Sequence, residues 1–568
     1  MSHSKEKGIH PSDGPGRMAR AGPIDPLTGS KLALRGRLVL MDDGFHVIPQ
    51  GTIYIDEGNI LAVAESQAPR PAGFGAVPVI DVGGTIFPGF IELHNHLAYN
   101  ALQLWQVPKQ YSNRDQWSGI PEYRKLISGP MQILGKSPEL VPALVRYVEC
   151  KSLLGGVTTS QGIQLFSNAG IRRYYRGIVR NVEQTDEDAL PEAETRVADI
   201  DAKDANRFLK RLEKATCFLL HLSEGVDERA RKHFLALQLS DKQWAIGKQL
   251  AGIHCAALQA EDFTIYGHKQ GAMVWSPLSN LLLYGQTANV TAAKEAGVRI
   301  GIGSDWSPSG SKNLLGELKV AWLISQKNGN VFTERDIVSM ATRQAASILQ
   351  WDQTLGSLEA GKRADLVVIA GESGDPYESL IKAKETAIRL VMINGVARYG
   401  LPSLMRRLGA VGETIRVGRR ERTLFLRQET TDPVVSVLTL SAAAEILQEA
   451  LQQLPALAVE LEASSSRPRS RLSAIVSRMP IAQEWTLALD ELDDSGVDLR
   501  PRLPLRGEGE LTGATRELER AAVPLSQVVE PLTLDPLTVA DDPGFLKNIR
   551  AQLNVPSNVK TGLMALYG

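Results

Sequence analysis

His94 and His96 stand two residues apart at the end of an apolar run, FPGFIELHNH. In an extended strand that spacing points both imidazoles to one face, so both can enter one pocket. His221 ends the run TCFLLH, His254 ends LAGIH and Asp305 ends VRIGIGSD. Three such imidazoles with the one carboxylate would make a hard-to-borderline donor set suited to Zn²⁺ or Fe²⁺. Glu224 follows His221 by three residues, in HLSEG. That offset leaves its carboxyl near such an ion without binding it, where it can move protons. A lone His-x-His pair is ordinarily a surface or structural feature, and an Asp after a strand is ordinarily a helix cap. Their shared position at strand ends favours the chemical reading. His233 and His268 lie on helical segments and read as surface or packing residues, and Cys255 beside His254 reads as core.

Strands must bring these side chains together. GTIFPGFIELHNH, GGVTTSQGI, RGIVRNVEQT, TCFLLHLSEG, LAGIHCAAL, GAMVWSPLSN and VRIGIGSDW are short apolar runs, most ending in polar or glycine residues. Helical segments such as SPELVPALVRYVECKSL and TERDIVSMATRQAASIL separate them. Strands apolar throughout and divided by helices predict a parallel sheet. An eighth strand, expected within 186–215 and best placed at TRVADID, would close a (β/α)8 barrel. In such a barrel the strand ends converge on one mouth, so residues far apart in sequence meet there. Outside this rhythm lie two β-rich patches, 32–69 and 364–400, broken by Asp-Gly, Glu-Gly and Asn turns. They predict one small sheet domain built from both flanks.

The expected organisation is therefore a flexible arm over 1–31, a composite β-sandwich from 32–86 and 356–405, and the α/β barrel over 87–355. A mixed, partly helical extension follows over 406–568. In it, 441–463 has a helical period with Ser441 as candidate cap. SSSRPRSR at 464–471 reads as a break, PRLPLRGEGELTG as loop, and DDPGFLKNIRAQL as a helix with Pro543 in its first turn. The extension suits an oligomer interface or a lid.

FPGFIELHNH, HLSE, the lone His254, SPLSN and GSD, with LGSLEAGKRADLVVIAG at 355–371, resemble the amidohydrolase superfamily. More narrowly they resemble its mononuclear branch of heterocycle deaminases and triazine-type hydrolases, over roughly residues 32–400. The resemblance implies that His94, His96, His221 and Asp305 bind the metal, that Glu224 shuttles protons, and that His254 polarises the substrate. It implies that Ser279 and Asn280 form a supporting turn. It also implies one ion, Zn²⁺ ahead of Fe²⁺, because Lys203, Lys210 and Lys214 look helical and none suits a bridging carboxylated lysine. The reaction implied is hydrolytic C–N cleavage. An acidified water attacks a ring carbon, Asp305 takes its proton, Glu224 protonates the ring nitrogen and ammonia or an amine leaves. Hydrolysis of an amide or another ring substituent is the alternative at the same centre; a non-catalytic scaffold is the alternative of another class.

About sixty residues separate His96 from the next strand, an unusually long connection. Its first part, AYNALQLWQVPKQYSNRDQWSGIPEY, is dense in aromatics for a chain only 6% aromatic. Loops at a barrel mouth shape the substrate pocket. Trp105, Gln106, Tyr111, Arg114 and Trp117 are therefore candidate substrate contacts, as is Trp306 beside Asp305.

Composition sets the outer bounds. The 568 residues hold 63 Lys+Arg against 64 Asp+Glu, a net charge of -1. A bulk nucleic-acid binder is normally basic, so a small-molecule partner is expected instead. No apolar run reaches a membrane span, and the N-terminus lacks an apolar signal core. Three cysteines with no Cys-x-x-Cys pair suit a reducing cytoplasm. A homo-oligomer, dimer or larger, is expected from the resemblance.

Overall fold

The computed structural model describes residues 29–240, 242–466, 483–489 and 523–568. All but the last three residues of the expected arm lie outside these, as do 467–471 of the expected break and the expected loop at 501–513.

The apolar runs form parallel strands. Ala193–Arg196, Cys217–Leu222, Leu250–His254, Ala272–Trp275 and Arg299–Ile302 make one sheet in that order. Phe90–Glu92, Val157–Ser160 and Arg180–Asn181 make another. Backbone bonds join the two at both margins: Ala193 N donates to Val182 O at 2.8 Å, and Leu93 N to Ile302 O at 3.3 Å. Cys217–Leu222 is buried at every position, as a strand covered on both faces must be. The TRVADID expectation is corrected: the strand is Ala193–Arg196, and only its last two residues belong to that run. Its weak signal has a physical cause, since three of the four residues in AETR are polar and only Ala193 is buried. Lys203 sits in a 3-10 turn and Lys210 in helix Ala205–Leu212, and neither lies on a strand.

Both flanks contribute to one nine-stranded sheet. The N-terminal strands Leu32–Val39, Val47–Asp56, Asn59–Glu65 and Val79–Pro88 pair with the later strands through Val79–Pro88 and Leu366–Ala370. The sheet does not stop near residue 405: Glu413–Val417 and Arg420–Leu424 extend it beyond Val396–Gly400. Leu34, Leu38, Ile53, Ile86, Val368 and Met392 fill its own apolar layer.

The extension lies largely against its own chain. The helix expected over 441–463 is two helices, Leu440–Gln452 and Leu454–Ser466. Thr439, not Ser441, caps the first, accepting from Ala442 N; Ser441 instead bonds Glu413. Its buried face, Leu440, Ala443, Leu447, Ala450 and Leu451, packs on helix Val141–Leu154. Strand Trp485–Leu487 pairs with Gln164–Ser167. Pro543 precedes its helix rather than starting it, because Phe545–Ala551 begins after Gly544, with Asp542 accepting from Phe545 N. Helix Ser557–Tyr567 packs on Leu314–Lys327, where a Cβ on Gly562 would fall 2.3 Å from Leu323. Cys150, Cys217 and Cys255 are buried and free. No helix among the described residues is long and apolar enough to cross a membrane.

A buried ion pair ties the two sheet systems together. Arg180 donates to Asp365 Oδ2 at 2.6 Å and to Asn394 Oδ1 at 2.7 Å, and Asn394 N donates to Asp365 Oδ1 at 2.9 Å. Removing one partner strands a buried charge. Asp365→Ala is expected to cost about 3–5 kcal/mol, read as an earlier transition in denaturant unfolding; an unchanged midpoint would show that the sheets hold together without this pair.

Candidate metal centre and active-site cavity

The strand ends meet as their sequence positions require. His94 and His96 follow Phe90–Glu92, with ring centroids 5.0 Å apart. The backbone there is stitched to the strand carrying Asp305: Asp305 N donates to His94 O at 3.1 Å and His96 N to Asp305 O at 2.6 Å. Gly303 permits this approach, because a Cβ there would lie 2.5 Å from His94 O. His254 and Asp305 both adopt φ of +68°, a left-handed conformation that costs non-glycine residues free energy and is typical of functional sites.

The ligating atoms of His94, His96 and His221 lie within 4.8 Å of one another, as do those of His94, His254 and Asp305. His94 Nδ1 faces Gln161 Oε1 at 3.0 Å, and that oxygen also accepts from Asn95 N at 2.9 Å. Gln161 therefore holds the proton on Nδ1 and leaves a lone pair on Nε2. That Nε2 is buried without a hydrogen-bond donor and stands 3.2 Å from Asp305 Oδ1. A lone pair facing a carboxylate repels unless a cation lies between them. His221 Nδ1 is likewise buried without a partner. His96 Nε2 and His221 Nε2 stand 3.3 Å apart. This donor set fits a divalent cation.

The electrostatics agree. Burial, reinforced by His94, His96 and His254, pushes the His221 imidazolium well below its ordinary pKa. Burial lowers His254 to about 3 against the pull of Asp305. Neutral imidazoles are the form that ligates. Burial would raise Asp305, but His94, His254 and His96 bring it below the ordinary carboxylate range. Glu224 moves the opposite way: burial raises it, Asp305 adds to the rise and Arg114 opposes it.

Glu224 is held from three sides. Tyr284 donates to its Oε1 at 2.8 Å, Arg114 Nη1 lies 3.6 Å from Oε2, and His254 Nε2 lies 3.9 Å from the same oxygen. Arg114 is anchored on Asp199 Oδ2 at 2.9 Å and Val197 O at 3.0 Å, and His233 lies 3.4 Å from the same carboxylate oxygen. Asn280 Nδ2 is 3.1 Å from His254 Nδ1. Ser279 Oγ faces Ser309 Oγ at 3.5 Å rather than the cavity.

His96, His221, His254, Asp305, Glu224 and Arg114 line a cavity of about 350 Å³ together with Tyr99, Trp117, Tyr123 and Trp306. Of the expected substrate contacts, Arg114, Trp117 and Trp306 reach it. Trp105, Gln106 and Tyr111 do not line it. Trp105 and Tyr111 stack on each other in the core, and Gln106 donates to Asn548 O at 3.2 Å. Tyr99 and Tyr123 were missed among the many aromatics of the same insert. Tyr284 had a signal: it stands four residues after Asn280 on helix Pro277–Tyr284, hence on the same face. Gln161 and Asp199 carried no motif.

Residues 225–398 match the sequence profile of the amidohydrolase family. Over that stretch the chain is similar to the amidohydrolase family. His254 and Asp305 fall inside the matched stretch; His94, His96, His221 and Glu224 precede it. The chain is 26% identical over 364 residues to the 5-methylthioadenosine/S-adenosylhomocysteine deaminase of Moorella thermoacetica, covering 57% of this chain and 82% of that protein. It is 30% identical over 155 residues to the S-triazine hydrolase of Gordonia rubripertincta, covering 26% of this chain and 32% of that one. Among solved structures, a triazine hydrolase from Arthobacter aurescens superposes with a TM-score of 0.52 at 18% identity, over 74% of this chain and 99% of that one. The amidohydrolase-type fold is thus shared.

One buried acid supports the turn bearing Asn280. Glu317 accepts from Leu278 N at 2.8 Å and from Ser311, and burial raises its pKa to about 8. Above the unfolded-state value of about 4.3 the native chain then binds the extra proton, so its stability falls as pH rises towards 8. Glu317→Gln is expected to flatten that fall in thermal melts between pH 5 and 8.5; parallel profiles for the two proteins would contradict it.

Proposed function

We propose that this chain is a metal-dependent hydrolase that cleaves a C–N bond of a small nitrogen heterocycle, by hydrolytic deamination. The convergence of His96, His221, His254, Asp305 and Glu224 on one aromatic-walled cavity, with His94 clustered against them, carries the reading. The likeness to a nucleoside-type deaminase and to a triazine hydrolase supports the heterocycle class. Closure of the eight parallel strands as one barrel belongs to the same proposal.

His94, His96, His221 and Asp305 would hold one divalent ion, Zn²⁺ ahead of Fe²⁺. When bound, such an ion acidifies water so that a nucleophile is available near neutral pH. The protein groups supply the rest. Asn280 donating to His254 Nδ1 keeps that imidazole's proton on Nε2, facing the cavity, where it can stabilise negative charge on the substrate. Glu224, with its proton affinity raised by burial, would deliver its proton to a ring nitrogen; Asp305 would take the proton that the attacking water loses, and Glu224 would recover it and pass it to the amino group, which leaves as ammonia. Tyr284 and Arg114 fix the orientation of that carboxyl. Tyr99, Trp117, Tyr123 and Trp306 supply faces and edges against which a planar ring packs, and they exclude water from it.

Purified protein is expected to carry about one divalent ion per chain, the stoichiometry of a four-ligand site. It should release ammonia from at least one member of a panel of purines, pyrimidines and triazines. Glu224→Gln should keep the ion and lose at least about 100-fold in turnover. Less than about half an ion per chain, with no activity restored by added metal, would sink the proposal. Release of an amine or a ring opening without ammonia would assign the amide or ring-substituent reaction instead.

A further inference from the structure

The C-terminal segment places a carboxylate deep beside the metal-ligand loops. Asp535 is 1% exposed. One of its oxygens pairs with Lys151 and the other with Lys312, both lysines being buried as well. Lys312 also meets Asp542 Oδ2 at 2.8 Å, so two cations and two anions balance. A quartet of this kind could be mere ballast were it isolated. It is instead continuous with the ligand loops.

Lys151 Nζ donates to Asn100 O and to Ser307 Oγ, each at 2.8 Å. Ser307 N donates to Asn100 Oδ1 at 2.7 Å, and Asn100 Nδ2 to Asn95 Oδ1 at 2.9 Å. Asn95 stands between His94 and His96, and its Nδ2 donates to Ser304 Oγ at 3.1 Å, next to Asp305. Asp535 N further donates to Ala101 O at 2.9 Å. Every link is buried, and the chain of bonds touches the loop after His96 and the loop after Asp305 together.

We propose that Asp535 is a positioning residue for the metal centre, holding those two loops in register through Lys151 and Lys312. The inference rests on the reading of His94, His96, His221 and Asp305 as ligands. It assigns Asp535 a role in a cavity that it does not line. Without the Asp535 carboxylate, Lys151 and Lys312 repel across a buried gap, and Asn100 and Ser307 lose the cation that clamps them. The ligand pair on one loop then drifts against the ligand on the other. Burial already strains this arrangement, since it holds the Lys151 ammonium down to about 8 against the pull of Asp535.

The test uses the full chain loaded with Co²⁺, whose visible absorption reports ligand geometry. Its affinity is measured by competition with a chromophoric chelator, without substrate. Asp535→Asn is expected to weaken Co²⁺ binding at least tenfold and to alter the visible spectrum. Lys151→Met combined with Asp535→Leu removes one charge of each sign, leaves the Lys312–Asp542 pair, and guards against simple loss of fold. It should melt within a few degrees of wild type and still show the altered spectrum and weaker binding. A folded variant of either kind with the wild-type spectrum and affinity overturns the inference, because a purely structural tie would lower the melting temperature alone. Wild-type protein that binds no Co²⁺ overturns the ligand reading itself, and this inference with it.

Discussion

A buried lone pair facing a buried carboxylate governs this structure. His94 Nε2 lies 3.2 Å from Asp305 Oδ1, while Gln161 occupies the other ring nitrogen. His96, His221 and His254 crowd the same space, and burial keeps His221 and His254 neutral. Such a cluster is costly as an empty pocket and favourable as a cation site. Much of the surrounding architecture follows from holding those atoms in place. The parallel strands deliver them from four different parts of the chain. Left-handed backbone at His254 and Asp305 turns two of them inward. Gln161 and Asn280 select ring tautomers from behind.

Around that centre the protein has added material in two places that depend on one another. The insert after His96 supplies Tyr99, Arg114, Trp117 and Tyr123 to the cavity wall. Unsupported, so long a connection would be mobile. The C-terminal segment backs it: Gln552 accepts from Val107 N and donates to Trp105 O, and Asn554 donates to Lys109 O and Leu282 O. Trp105 and Tyr111, stacked in the core, are the inner side of the same wall. The described residues of the tail thus back the lining of the cavity and are not among the residues that line it.

The meeting of these side chains at strand ends was legible because it rests on two short-range rules. Alternation along a strand puts His94 and His96 on one face, and parallel strands present their ends together, so His221, His254 and Asp305 could be assigned from position alone. Glu224 was legible from its offset to His221, and the paired β-rich flanks announced a shared sheet. The strand Ala193–Arg196 was not, because three of its four residues are polar and carry little apolar signal. The extent of the flank sheet was underread for a related reason: RERTL has strand character, but nothing local says which edge it joins.

Which aromatics of the insert face the cavity is a different kind of fact. Trp105 and Trp117 are equally plausible ring-stackers by composition, yet one is core and the other wall, and only the path of the loop over the strand ends decides it. The partners of Arg114 are also tertiary: Asp199 and Glu224 lie 85 and 110 residues away, and their convergence turns a residue that could have met an anionic substrate into one that steadies Glu224. The same holds for Asp535, which no motif marks. By itself the sequence determined the donor atoms and their shared strand-end setting, since residue type and period are local. The tertiary structure alone decided the cavity's walls, the tautomer-setting partners and the buried charges behind the loops, since those depend on contacts between segments 26 to 384 residues apart.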